Sequence, residues 1–206
     1  WMYWLGQIND PDNPDLRSPR HTALLKQFDE LLARQKELLV STEIDRIYAS
    51  HGASFLNAAT FYDWTRYQVN VPANKLELWF WLESDRLANP VFREFYSERD
   101  VVHEERRRST DSTPTGKFDE QFTAMFWQSS PYSWPIIGWP SDLEGITREE
   151  ALAFFDVYYA PNNLTAVLVG DFDPDQAIAF ARQYFGRLPR GAKPPVRPRT
   201  REMPQL

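Results

Sequence analysis

The chain of 206 residues is 42% hydrophobic and 25% charged, which suits one well-packed domain and does not suffice for two large ones. Its 23 lysines and arginines against 29 aspartates and glutamates give a formal net charge of -6, which disfavours nucleic acid as a partner. No apolar run approaches the about 20 residues of a membrane-spanning helix, so we expect no membrane span. Because cysteine is absent, thiolate zinc sites and cysteine nucleophiles are excluded, and any metal would be bound by His, Asp or Glu.

The first quarter of the chain is predicted to be irregular and then helical. Turn-rich, proline-containing sequence predicts an irregular leader over residues 1–19. Apolar residues at helical spacing then predict a long amphipathic helix through about Leu39 and a shorter helix that stops at Gly52. We assign residues 20–50 to one helical region. Beyond it, alternation with a period of two around Asn57 and Tyr67 predicts two adjacent strands.

Helical spacing dominates the remainder of the chain. It predicts helices over about 76–89, 94–109, 118–126, 147–159 and 173–186. Thr147 with Glu150 forms a capping box, and Asp173 before a proline is a predicted N-cap. The apolar run 164–169 is predicted to be a buried strand. This order predicts an α/β or α+β domain over 51–189, in which helices cover a sheet, followed by a Pro/Arg-rich linker over 190–206.

Two acidic residues share the apolar side of the helix predicted over 94–109. At 100° per residue, Glu98, Val101, Val102 and Glu105 fall within one stripe about 100° wide. The other side carries Arg99, His103, Arg106 and Arg107. A carboxylate turned toward a core is costly unless it is paired, protonated or bound to a metal. The helix is therefore a candidate site. From the pattern alone a second interpretation is favoured, in which both acids lie at the edge of the stripe and are solvated or paired with arginines of another element.

A complete metal site cannot be assembled from the residues of this sequence. A helical site with two histidines needs them at i and i+4, and four residues after His103 the chain carries Arg107. His21 and His51 likewise lack a histidine four residues on. The sequence also lacks a G-x-S-x-G elbow, a Walker loop and a G-x-G-x-x-G fingerprint, so nucleophile and phosphate-binding readings are weak.

Seven short segments form a series that is far more specific than any one of them. They are GASFLNAAT at 52–60 with Asp63, Thr65 and Tyr67 after it, LESDR at 82–86, ERDVVHEER at 98–106, PY at 131–132, IG at 137–138, YAPNNL at 159–164 and VGDFD at 169–173. In order and spacing they resemble the inverted-zincin peptidases, the family of pitrilysin, insulinase and the mitochondrial processing peptidase. The resemblance covers about residues 41–189. It implies one lobe of that metallopeptidase fold, a mixed sheet with helices packed on one face, here without its first strands and first active-site helix. It also implies that residues 20–50 are a helical insertion and that the linker leads toward a second domain.

The resemblance also implies roles for four residues. In the family, a helix with the motif H-x-x-E-H supplies two zinc-binding histidines and the general base, and a glutamate on a later helix completes the metal site. Glu105 matches this third zinc ligand, and Glu98 matches a supporting acid near the metal. Asn57 and Ala58 match edge-strand positions that bind an extended peptide substrate through main-chain pairing.

One departure leaves two interpretations of the function open. The motif H-x-x-E-H, which should precede the long helix, is absent from this sequence. Either the chain is a fragment of a zinc metalloendopeptidase that encloses peptides between two homologous domains or subunits, or it belongs to a non-catalytic binding or scaffolding subunit that pairs with an active homologue. Both acids are retained, which favours the first. We expect the chain alone to bind no stoichiometric zinc and to be inactive, and we slightly favour the bacterial periplasm over the cytoplasm.

Overall fold

The computed structural model describes residues 18–38, 42–192, 195 and 199–204. By its internal contacts the chain divides into two units, Trp1–Glu43 and Ile44–Leu206. Helix α1 (Pro19–Leu38) lies in the first unit, and its Leu24 and Leu31 are exposed. The predictions for the leader up to residue 17, for the helix end at Leu39, and for residues 193–194, 196–198 and 205–206 of the linker lie outside the described residues.

The second unit begins within a short helix and continues as a hairpin followed by helices. Its elements are α2 (Glu43–Ser50), β1 (Ser54–Thr60), β2 (Thr65–Asn70), α3 (Leu76–Ala88), α4 (Phe95–Arg106), α5 (Pro114–Phe126), α6 (Pro140–Gly145), α7 (Arg148–Tyr158) and α8 (Pro174–Tyr184). A π-helical turn, Arg107–Asp111, continues α4. None of the helices in the described ranges is both long and apolar enough to cross a membrane.

Two helix starts follow the capping signals of the sequence. Thr147 and Glu150 form the predicted capping box, in which the Thr147 side chain accepts from the Glu150 amide and the Glu150 side chain accepts from the Thr147 amide. Asp173 caps α8 by accepting from the amides of Asp175 and Gln176. These side chains satisfy amides that a helix start leaves without an intrahelical partner. Both capping predictions are confirmed.

The main apolar core lies between α3 and α8. Leu76 and Phe80 of α3 and Ala177 of α8 are buried together, and Phe80 is only 2% exposed. The Phe80 ring packs 5.8 Å from that of Phe180 and 5.7 Å from that of Phe185, in tilted arrangements. Burying one such ring contributes about 1.5–3 kcal/mol, so this contact fixes α8 on α3. The spacing of the apolar residues along both helices is what brings them to one side.

The sheet of the described residues is the antiparallel hairpin of β1 and β2. Ala58 is paired with Tyr67 and Thr60 with Thr65, and an irregularity interrupts the register between Ser54 and Asn57. Most residues of both strands are exposed. Within the described part of the chain, β1 pairs only with β2, so its second edge has no neighbouring strand. Helices together with this sheet give an α+β fold, which confirms the predicted class.

The prediction of a buried strand over 164–169 is wrong. This segment is irregular, and its Val167 and Val169 are 72% and 93% exposed. A strand exists only where a neighbouring strand supplies hydrogen-bond partners, and the described residues offer this segment none. The apolar run indicates what the segment can bury, but it does not supply the partner.

Candidate functional site

Helix α4 is anchored through an arginine. Arg106 is 4% exposed, and it donates to both carboxylate oxygens of Glu120 on α5, at 2.6 and 2.9 Å. It also donates to the Gly138 carbonyl at 2.8 Å and pairs with Asp111 at 3.3 Å. The hydrogen bonds that Arg106 donates to Glu120 raise the pKa of Arg106. Because this guanidinium needs its partners to remain buried, it determines which side of α4 faces the protein.

The two acids of the stripe consequently face outward. Glu98 and Glu105 are exposed, and Val101 between them is 58% exposed. No hydrogen bond or ion pair of either carboxylate is found among the described residues. These carboxylates do not turn toward a core, because the buried side of α4 is the one that carries Arg106. The solvated alternative raised from the sequence is what the structure shows.

The last turn of α4 carries a second, exposed charge cluster. Glu104 accepts from Arg107 at 2.7 and 2.6 Å and from Arg108 at 2.9 Å. These hydrogen bonds lower the pKa of Glu104 to about 2. The arginines that follow α4 are thus engaged by Glu104, and neither pairs with Glu105 in the structure.

The described residues do not by themselves fit a zinc ion. Zinc sites in proteins use three or four side chains, and no group of three His, Cys, Asp or Glu that could hold a metal occurs in the described part of the chain. Glu105 offers one accessible carboxylate. A metal bound here would therefore need further ligands from elsewhere.

A second candidate surface is the open edge of β1. Asn57 and Ala58 lie side by side there, and the Asn57 side-chain oxygen accepts from the Ala58 amide at 2.9 Å. The hydrogen-bond partner of the Ala58 amide is thus a side chain, that of Asn57, and not the backbone of a neighbouring strand. An extended peptide could then take its place, as in strand addition to a sheet edge. No hydrogen bond or ion pair joins these two residues to Glu98 or Glu105 in the described ranges.

The hairpin is held to the helices by tyrosines. Tyr67, opposite Ala58 in the register, shares a 2.6 Å hydrogen bond between hydroxyls with Tyr159, and the Arg86 guanidinium lies 5.7 Å from the Tyr67 ring centroid. Burial, followed by the hydrogen bond to Tyr159, raises the pKa of Tyr67 well above its usual value. At the tip of the hairpin, Tyr132 donates to Asp63 at 2.6 Å.

Sequence reasoning missed the residues that position these two surfaces. The helical pattern puts Arg106 outside the apolar stripe, although it is the buried anchor. Its partner Glu120 is 14 residues away on another helix, so helical spacing contains no signal for the pair. Tyr159 appeared only as part of a motif, and its bond to Tyr67 spans 92 residues.

Comparisons with known proteins agree with this architecture. Residues 145–206 match the model of the family described as "Peptidase M16 inactive domain". The zinc protease PqqE of Helicobacter pylori is 29% identical over 169 residues, which are 81% of this chain and 38% of that protein. An uncharacterised zinc protease of Mycobacterium leprae is 32% identical over 66% of this chain and 31% of its own length. The crystal structure of a protease from Helicobacter pylori superposes with a TM-score of 0.65 and 31% identity, over 71% of this chain and 36% of that one.

These similarities identify a peptidase-like α+β lobe. They support a member of the pitrilysin-like M16 peptidase family, as the motifs of the sequence predict. The chain spans about a third of the length of the curated relatives from Helicobacter pylori and Mycobacterium leprae.

Proposed function

We propose that this chain is part of a zinc-dependent metalloendopeptidase that hydrolyses extended peptides in a chamber between two lobes. In this proposal Glu105 is one zinc ligand, and the other ligands come from outside the described residues. Glu98 is a supporting acid near the metal, and Asn57 and Ala58 bind the peptide. A second homologous domain or subunit forms the other lobe.

The exposed acidic face of a firmly anchored helix is the observation that carries the proposal. Arg106 fixes α4 through its buried contacts, so the exposure of Glu98 and Glu105 does not come from a loosely packed helix. Anionic ligands must be accessible to coordinate a metal, and their carrier must be rigid to hold a coordination geometry. The open edge of β1 independently offers main-chain groups to a peptide.

Cleavage assays on the longest natural polypeptide that contains this sequence test the proposal. With a quenched fluorescent peptide as substrate, we expect cleavage that a chelator abolishes. Glu105→Gln should lower kcat/KM and zinc content together, the former by about 100-fold or more. Glu98→Gln should lower activity by about 10–100-fold and retain more of the zinc, as expected of a group that acts beside the metal.

Asp100→Asn provides the matched control, because Asp100 is an exposed acid on the same helix. It should leave both zinc content and cleavage unchanged. Chelator-sensitive cleavage that survives in Glu105→Gln at the level of the control would rule out Glu105 as a ligand.

The second candidate is a non-catalytic binding or scaffolding subunit that pairs with an active homologue. Two observations favour it: the sequence lacks H-x-x-E-H, and the family model that matches residues 145–206 is described as inactive. This alternative predicts that the same polypeptide binds peptide, shows no chelator-sensitive cleavage on its own, and raises the activity of a catalytic partner.

Fractionating cells between periplasm and cytoplasm would test the compartment, for which we propose the periplasm.

A further inference from the structure

The C-terminal tail is held on the second unit by one carboxylate. Glu202 accepts from three consecutive backbone amides, those of Gln128, Ser129 and Ser130, at 2.9, 3.0 and 2.8 Å. The Ser129 hydroxyl donates to the Arg201 carbonyl at 2.9 Å and lies 3.4 Å from Glu202. Amides that converge in this way form an anion-binding nest, and they lower the pKa of Glu202. The tail is thus fixed by a charge in a concave group of donors.

The loop that binds the tail also binds the tip of the hairpin. We call residues 127–133 the latch loop. Its Tyr132 donates to Asp63 at 2.6 Å and stacks on Tyr62 with ring centroids 4.7 Å apart. Ser130 connects the two contacts, because its amide is bound by Glu202 while its side-chain oxygen accepts from the Tyr132 amide at 3.3 Å. A few bonds of backbone therefore separate the tail contact from the hairpin contact.

We propose that Glu202 is a latch through which the C-terminal tail controls the order of the β1–β2 hairpin. When the carboxylate occupies the nest, three amides of the latch loop are satisfied and Tyr132 is held in place to bind the hairpin tip. When the tail leaves, these amides return to water, the latch loop loosens, and the tip loses a fixed partner. The two states differ by identifiable contacts, which coupling between distant segments requires.

The coupling is a property of the chain without ligand, and only its effect on peptide binding rests on the proposed function. Because the hairpin carries Asn57 and Ala58, a tail held elsewhere would leave the proposed peptide edge less ordered. Chain segments that follow Glu202 could in this way influence the peptide edge without touching it.

Amide hydrogen exchange on the 206-residue chain tests the latch. In Glu202→Ala we expect the amides of Gln128, Ser129 and Ser130 to exchange at least about tenfold faster than in the unaltered chain. The Phe61 amide, which donates to the Trp64 carbonyl at 2.9 Å at the hairpin tip, should exchange faster as well. Circular dichroism should show that the helix content is unchanged.

Glu149→Ala is the matched control, because it removes another exposed glutamate with no partner in the latch loop. It should leave both sets of amides unchanged. If Glu202→Ala speeds exchange in the latch loop and not at Phe61, the loop does not couple the tail to the hairpin. If the loop amides do not change, the carboxylate does not hold the tail. Neither result bears on the proposed peptidase function, since peptide and metal are absent from the experiment.

Discussion

Removing the partner of Arg106 should destabilise the lobe more than removing any exposed charge. In Glu120→Ala the guanidinium, which is 4% exposed in the unaltered chain, retains only Asp111, at 3.3 Å, and the Gly138 carbonyl. Breaking a buried ion pair from one side typically costs about 3–5 kcal/mol. Because two acceptors remain, we expect a loss near the lower end, about 3 kcal/mol of the free energy of unfolding. For a chain of this size that corresponds to a fall in Tm of about 6–12 °C.

Urea unfolding followed by tryptophan fluorescence measures this loss, since the chain contains 8 tryptophans. Glu120→Gln should lose less, because its side-chain oxygen can still accept from Arg106. The control is Glu104→Ala, which breaks exposed pairs with Arg107 and Arg108 and should change the midpoint far less. A loss in Glu120→Ala below about 1 kcal/mol, or one equal to that in Glu104→Ala, would refute the anchoring role of Arg106.

Three further predictions follow from the hairpin and the charge clusters. Ala58→Pro deletes the amide proposed to pair with peptide, so it should abolish peptide binding measured by fluorescence anisotropy. Ala58→Gly keeps the amide and should still bind peptide. Equal binding by both variants would contradict strand addition. The pKa of Tyr67 is raised, so its hydroxyl stabilises the fold below pH 10, and this contribution is lost as pH rises through the higher pKa of the folded state. Absorbance at alkaline pH should therefore show that Tyr67 ionises at a higher pH than an ordinary tyrosine. In Tyr159→Phe this ionisation should move to lower pH. The carboxyl of Glu104 should titrate at about pH 2 when it is followed by NMR. The contribution of its arginine pairs to the stability of the fold is present above the usual pKa of a glutamate and is lost as pH falls toward 2. A normal titration midpoint would show that the pairs do not persist in solution.

The elements that the sequence predicts well are those fixed by neighbours a few residues apart. The capping box of Thr147 and Glu150 is complete within four residues, and the hairpin follows from alternation within about ten. The orientation of α4 could not be found in this way. An arginine is expected to face water on the usual rule, and contacts with distant partners, chiefly Glu120 on another helix, reverse this for Arg106. The strand predicted over 164–169 is irregular in the structure for the same reason, because strand formation depends on a partner that the local sequence does not contain.

The spacing of the two exposed acids separates their roles. Seven residues of helix correspond to a rise of about 10 Å, whereas two ligands of one zinc ion lie within roughly 4 Å of each other. Glu98 and Glu105 share a face of α4 but cannot both bind the same ion unless the helix breaks between them. Arg106 argues against such a break, because it anchors the last turn of α4 to α5 and to the Gly138 loop. If a metal binds at Glu105, any role of Glu98 in the proposed site is therefore toward water, substrate or another ligand. We accordingly expect the two substitutions to have different effects on zinc content.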